Sequence, residues 1–367
     1  MLTSGQSLFG SDPSSEGGDL NACMPAEWER HEATWISWPH REGVSFPGYY
    51  DAVIPTFVAM AKAIGASEIL RINVRDGHQE QEIKKKLSPH IPSEHLEFYK
   101  IKTQEPWCRD HGPIFVRCKK TGQLIIIDWN YNAWGEKYLP FDDDNAVPSQ
   151  IADLLDLSCF KPNMILEGGS IDVNGAGALL TTESCLLNKN RNPTLSRQEI
   201  EIQLKHYLGV NQIIWLGDGI EGDDTDGHID DITRFVAEAT VITVVEENKS
   251  DPNHLPLQKN RELLQKMTLS DGRSLNIVEL PMPPGIEREG QRLPASYANF
   301  YITNHSVLLP TFAVSSDKTA IGILTDLFPT RTIIPIDCRE LIWGLGAFHC
   351  LTQQQPVAIR PTGRIEV

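Results

Sequence analysis

Residues 232–245 read ITRFVAEATVITVV, two runs rich in β-branched and apolar residues around the turn Ala-Glu-Ala. Such a pattern predicts a β-hairpin, because side chains of this kind pack on a pleated, half-buried surface. A helical pattern follows near residues 256–267, and then a short apolar strand, NIVELP (276–281). The same order recurs. PIFVRCKKTGQLIIIDW (113–129), SIDVNGAGALLTTESCLL (170–187) and YANFYITNHSVLLPTF (297–312) read as hairpins turning at Lys-Thr-Gly, Asn-Gly-Ala-Gly and Thr-Asn-His. Their helices are expected near 147–156, 195–207 and 317–327, and their closing strands at MILEG (164–168), IIWLGD (213–218) and TIIPID (332–337). A fifth, divergent copy would use TWISWP (34–39), a helix near 50–64 and EILRINV (68–74). A unit of strands with one outer helix cannot bury its apolar sheet face alone, so five of them predict a closed, five-bladed α/β propeller of strand-strand-helix-strand repeats. A doubly wound open sheet would need strands and helices alternating singly.

The 367 residues suggest two domains or one large one at roughly 150 residues per domain. No linker or low-complexity tract interrupts the chain after its start, so the expectation is a leader over residues 1–23 and a single catalytic domain over 24–367. Lys plus Arg number 33 against 49 Asp plus Glu, a net charge of −16, which argues against nucleic acid or an anionic membrane surface as partner and suits a cationic one. The N-terminus has neither a basic start nor an apolar run of signal length, so a cytoplasmic protein is expected. Seven scattered cysteines without a Cys-x-x-Cys pair exclude a disulfide scaffold and a zinc ribbon. Neither a Gly-x-Gly-x-x-Gly nor a Walker loop is present, so nucleotide binding has no motif.

Four polar clusters stand where hairpins begin or strands end. EPWCRDHGP packs Trp107, Arg109, Asp110 and His111 into one turn, and EGGS sets Glu167 beside two glycines that let a backbone or ligand approach closely. GDDTDGHIDD brings Asp223, Asp224, Asp226, His228, Asp230 and Asp231 within nine residues, a density that repels itself unless a cation or proton shares the space. A calcium loop is excluded there, since the twelfth residue from Asp223 is Arg234 and not Glu. In strand geometry His228 and Asp230 share a face and Asp231 takes the other. GLGAFHC ends in Cys350, placed after a constrained glycine-rich turn that suits a nucleophile as well as an inert buried thiol.

In that order EPWCRDHGP (105–113), EGGS (167–170), GDDTDGHIDD (222–231), PASYANFYITN (294–304) and HCLTQQQP (349–356) resemble the agmatine deiminase and bacterial-type peptidylarginine deiminase family of guanidino-group-modifying enzymes. MPAEWERHEATWISWP (24–39) and LLTTESCLLNKNRNP (179–193) extend the likeness over nearly the whole chain. The resemblance implies the five-bladed pentein propeller. It implies Cys350 as nucleophile, His228 as general acid and base, and Asp110 and Asp230 as the carboxylates that take the guanidinium, with Glu167 beside them. Asp224 and Asp226 are candidates for a distal ammonium, Trp107 and Trp129 for packing along a methylene chain, and Arg109 is a further substrate-binding candidate. The implied reaction is hydrolysis of agmatine to N-carbamoylputrescine and ammonia, a step towards putrescine, through an amidino-thioether. The alternatives are a peptidylarginine or free arginine deiminase, and an amidinotransferase. No cofactor and no metal are expected, and relatives of this kind are commonly homo-oligomers.

The chemistry agrees with that set. A guanidinium has a pKa above about 12 and resists attack, so it must be held by carboxylates and met by a thiolate. Carboxylates around His228 should raise its pKa and keep it protonated for an acid step. The sequence departs from the family's usual pattern at Leu345 and Ala347, where a glycine and an asparagine are usual, at His111, and in WPHREGVSFP (38–47).

Overall fold

The computed structural model describes residues 20–359. Each expected hairpin forms, and its second strand is joined by a parallel strand reached through a helix. Ile114–Cys118 pairs antiparallel with Leu124–Ile127, which lies parallel to Ser158–Phe160 beyond the helix Val147–Leu155. Asp172–Val173, Ala178–Thr182 and Gln212–Leu216 repeat the arrangement around the helix Arg197–Leu208. Thr233–Ala237, Thr240–Val245 and Asn276–Pro281 do so around His254–Gln265. Tyr301–Ile302, Ser306–Thr311 and Thr332–Asp337 do so around Ser316–Leu327.

The divergent fifth copy is completed from the far end of the chain. Thr352–Pro356 pairs antiparallel with His31–Ser37, which lies parallel to Ile69–Asn73 beyond the helix Tyr50–Gly65, and Leu96–Tyr99 adds a fourth strand. The hairpin missing from the N-terminal copy is therefore supplied by TQQQP, two residues after Cys350. Among the described residues the fold is mixed α/β: five sheets of three or four strands and a two-stranded ribbon, Glu287–Arg288 with Gln291–Arg292. No described helix is long and apolar enough to cross a membrane.

The helices hold because their caps and stripes agree. Arg197–Leu208 starts on a capping box between Ser196 and Glu199 and stops at Gly209, whose φ of +67° ends the helix in the left-handed region. Its Ile200, Leu204, Tyr207 and Leu208 share one face and are buried. Ile200, Leu204 and Leu208 each contribute about 1.5–3 kcal/mol of transfer free energy.

Two expectations need correcting. MILEG (164–168) is not a strand: it makes one bridge, Ile165 to Asn130, and the parallel strand is Ser158–Phe160. The Asn192 side chain takes the Ile165 N–H at 2.9 Å and donates to the Ile165 carbonyl at 2.8 Å, so beyond the bridge to Asn130 the Ile165 backbone groups are satisfied by a side chain and not by a ladder. The leader expected over 1–23 lies outside the described residues as far as 19, and within its span Ala22–Cys23 forms an edge strand on Ile114–Cys118.

Candidate active site

The turns that precede the first strand of each sheet converge. Cys108–His111 leads to Ile114, Gly168–Ser170 to Asp172, Ile229–Asp231 to Thr233, Asn299 to Tyr301, and Phe348–Leu351 to Thr352. From these turns come Asp110, Glu167 and Gly169, His228 and Asp230, Asn299, and Cys350. Gly169 stands where they meet. A Cβ there would lie 2.5 Å from His228 Nδ1, 2.8 Å from Asp110 Oδ1 and 3.1 Å from Asp230 Oδ2, so only glycine leaves these groups room. His228 and Asp230 both face Gly169, but across a 3-10 turn over Ile229–Asp231 and not along the strand expected. Asp231 consequently does not take an opposite face. Its Oδ1 accepts from Asn299 Nδ2 at 3.0 Å, and the same Nδ2 lies 3.0 Å from Cys350 Sγ.

Asp110 accepts from Gly169 N at 3.1 Å and from Trp134 Nε1 at 3.1 Å, and its Oδ1 is 3.7 Å from His228 Nδ1. Burial pushes its carboxyl up to about 7, with Asp230 and Glu167 adding and His228 opposing. His228 is fully buried and neither ring nitrogen has a hydrogen-bond partner within the protein. Burial alone would lower its pKa, but Asp110, the neighbouring Cys185 and Asp230 hold it well above the ordinary histidine value, as expected. Asp230 Oδ2 holds His349 Nδ1 at 2.6 Å and lies 3.8 Å from Cys350 Sγ. Burial pushes the Cys350 thiol well above its ordinary pKa, and Asp230, Asp231 and Asp110 push the same way.

A cavity of about 170 Å³ opens over Cys350 and Asp110. Trp107, Trp134, Tyr138, Glu105 and Asp224 line it together with Trp343, Leu345 and the exposed Val44 and Pro47. Trp107 donates to Ser45 Oγ at 2.8 Å, and Asp224 accepts from the Tyr138 hydroxyl. Trp134 sits in a left-handed turn in which Ala133, Trp134, Gly135 and Glu136 all have positive φ, between +50° and +93°. Three of these are not glycine, so the strain is stored where the indole meets Asp110.

Other expected site residues stand elsewhere. Arg109 does not line the cavity: it reaches Gln354 Oε1 at 2.7 Å and Glu27 Oε2 at 3.3 Å in a buried network behind it. Glu167 is paired with Arg191 Nε at 2.6 Å. Asp226 is held by Arg191 at 2.6 Å and Lys137 at 2.9 Å, and these partners with Asn190 draw its pKa down against burial. Asp223 spends both oxygens on the backbone of its own loop, accepting from Thr225 N, Gly227 N and His228 N. The acidic density is thus compensated by Arg191, Lys137 and amide groups, and of that loop's carboxylates Asp224 is the one that lines the cavity. Trp129 packs on Tyr207 away from it. Oxygen, sulfur and nitrogen of Glu167, Cys185 and His228 lie within 4.8 Å of one another, a spacing a metal could use. The Arg191 guanidinium already supplies the positive charge at Glu167.

Sequence reasoning gives no role to Glu27, Trp134, Tyr138, His349 and Arg191, and within PASYANFYITN (294–304) it reads Asn299 as a residue of strand pairing and packing. Asn299 fixes the turn that carries Cys350: its Oδ1 accepts from His349 N at 3.1 Å and Cys350 N at 3.3 Å. Of the departures from the family pattern, His111 is buried against Ser37 Oγ at 2.9 Å and Ala347 is buried, whereas Leu345 reaches the cavity.

Residues 23–356 match the family of Porphyromonas-type peptidyl-arginine deiminases. The chain is 36% identical over 369 residues to an agmatine deiminase of Pseudomonas aeruginosa (strain LESB58), covering 94% of this chain and 98% of that one. It is similar to the agmatine deiminase of Enterococcus faecalis, with a TM-score of 0.87, 32% identity and coverage of 97% and 100%. It is also similar to a substrate-bound agmatine deiminase of C. jejuni, with a TM-score of 0.85, 32% identity and coverage of 92% and 97%.

Proposed function

This chain belongs to the Porphyromonas-type peptidyl-arginine deiminase family, and from that membership and the site's geometry we propose that it hydrolyses agmatine to N-carbamoylputrescine and ammonia. The observation that carries the choice of substrate is the lining of the cavity. Among the described residues it holds three carboxylates, Glu105, Asp110 and Asp224, and no Lys, Arg or His. A dication such as agmatine is matched at both ends, whereas the carboxylate of free arginine would enter without a cationic partner.

Asp110 and Asp230 take the guanidinium nitrogens in charge-assisted hydrogen bonds. Arrival of the cation among Asp110, Asp230 and Asp231 offsets the negative field that, with burial, keeps Cys350 a thiol, so the thiol gives its proton to solvent and the thiolate forms with substrate in place. Its sulfur adds to the guanidinium carbon. His228, protonated, gives a proton to the departing nitrogen, the C–N bond breaks and ammonia leaves. The neutral imidazole then takes a proton from water, hydroxide adds to the amidino-thioether, and the C–S bond breaks to release the ureido product. Glu167 acts at one remove, by fixing Arg191 beside the turn. Asp224 with Tyr138 receives the distal ammonium, and Trp107 lies along the methylene chain. The meeting of five turns at one point supports the reading of the five sheets as blades of a closed propeller.

Side-by-side assay of ammonia and ureido product from agmatine, free arginine and an arginine peptide tests this. Agmatine is expected to be the preferred substrate, and failure on all three would reject the reading.

A further inference from the structure

The turn ahead of Cys350 carries a side chain where its backbone favours none. Leu345 closes the 3-10 turn Leu341–Gly344, donating its N–H to Ile342 O at 2.9 Å, with φ +69° and ψ 20°. That left-handed closing position is the one glycine ordinarily fills, because a Cβ crowds the neighbouring carbonyl. The glycines on either side have a reason of their own. A Cβ at Gly344 would lie 2.5 Å from Phe46 and 3.0 Å from Trp107, and one at Gly346 would lie 2.6 Å from Trp107 and 3.1 Å from Cys350 Cβ. The loop therefore lies backbone-down on Trp107. Leu345 is the position between them that presents a side chain, and that side chain lines the cavity beside Trp343, half-buried, with Val44 and Pro47 also in the lining. A strained residue that breaks a local rule at a cavity wall is a device the rest of the fold holds in place for function.

We propose that Leu345 is a specificity-determining residue: with Trp343, Val44 and Pro47 it forms an apolar collar that admits a slender, unbranched alkylguanidine and turns away one whose chain is substituted beside the distal nitrogen. The excluded class is the arginyl residue of a peptide, in which that carbon bears a carbonyl and the nitrogen is acylated. This deepens the agmatine reading and rests on it.

The test is kcat/KM for agmatine and for Nα-benzoyl-arginine amide, measured on the wild type, Leu345→Gly and Leu345→Ala, with the melting temperature of each. The preference for agmatine over the amide should fall about tenfold or more in Leu345→Gly and by less in Leu345→Ala, the usual scale for opening an apolar pocket. Leu345→Gly should melt at or above the wild type, because glycine relaxes the cap. A preference unchanged within about twofold in both variants would overturn the proposal. A Leu345→Gly that melts below the wild type would contradict the strained cap, and the Ala variant would still read the collar. A wild type inactive on agmatine would instead reject the parent reading, and the collar with it.

Discussion

Cys350 is the residue whose resting state says most about the mechanism. Burial and three carboxylates hold its thiol well above the ordinary value of 9.0, so the substrate-free protein carries a poor nucleophile. Inactivation by iodoacetamide without substrate should accordingly keep climbing with pH past 9.0, following the thiolate fraction. A plateau below that pH would show a thiolate already formed. In the proposed mechanism Asp110, pushed up to about 7, must lose its proton before it receives the guanidinium. As pH rises through about 7 the carboxylate appears, so kcat/KM should fall more steeply below that value than just above it, where the Cys350 thiol still has its proton to lose. Trp134 Nε1 donates to that carboxylate at 3.1 Å and stabilises its charged form. Trp134→Phe should therefore move the acid limb to higher pH and lower kcat/KM about 10- to 100-fold, the range for one hydrogen bond to a charged group. An acid limb unmoved by the substitution would separate Trp134 from Asp110's chemistry.

The elements that matter are short turns, and they were the hardest part to read. Hairpins such as ITRFVAEATVITVV declare themselves through their β-branched runs, and the helix Arg197–Leu208 through its cap and its apolar stripe. MILEG has the same apolar look as a strand, but Asn192, far along the chain, takes the backbone groups of Ile165. Arg191's hold on Glu167 and Asp226, and Asn299's on Cys350, likewise join residues 24 to 51 positions apart, and no local pattern announces them. Cys350, His228, Asp110 and Asp230 stand out as site candidates by resemblance, whereas the residues that hold them do not. Gly168–Ser170 makes the clearest test at this scale. Gly169→Ala would drive a methyl group to 2.5 Å from His228 Nδ1 and 2.8 Å from Asp110 Oδ1. It should cost about 100-fold or more in kcat, as misplacing a reacting group by an ångström does, while far-ultraviolet circular dichroism stays native. Near-normal turnover would mean that His228 and Asp110 do not work at that point.

Across the molecule, the site is tied together by a carboxylate that never meets the cavity. Glu27 forms ion pairs with Arg234 at 2.9 Å, His349 at 2.7 Å and Arg109 at 3.3 Å and accepts the Ile302 N–H at 2.8 Å, joining the N-terminal segment to four of the five sheets or their leading turns. Burial alone would raise its pKa, but Arg234, His349 and Arg109 hold it well below the usual 4.5. A depressed carboxylate stabilises the fold above its unfolded pKa and ceases to do so as pH falls through the folded one. Glu27→Gln should thus lose about 3–5 kcal/mol near neutral pH, because it leaves buried cations unpaired. In denaturant melts the gap to the wild type should narrow below about pH 4, and a gap that stays constant would place its cause outside the charge. The claim on which everything else depends is that a guanidino carbon becomes bonded to Cys350. The direct measurement is peptide mass spectrometry of enzyme quenched in acid during turnover of isotope-labelled agmatine. The expected result is a label on the Cys350 peptide equal in mass to agmatine less ammonia, lost in Cys350→Ala together with all ammonia release. Turnover that survives in Cys350→Ala, or a label carried by another residue, would contradict it.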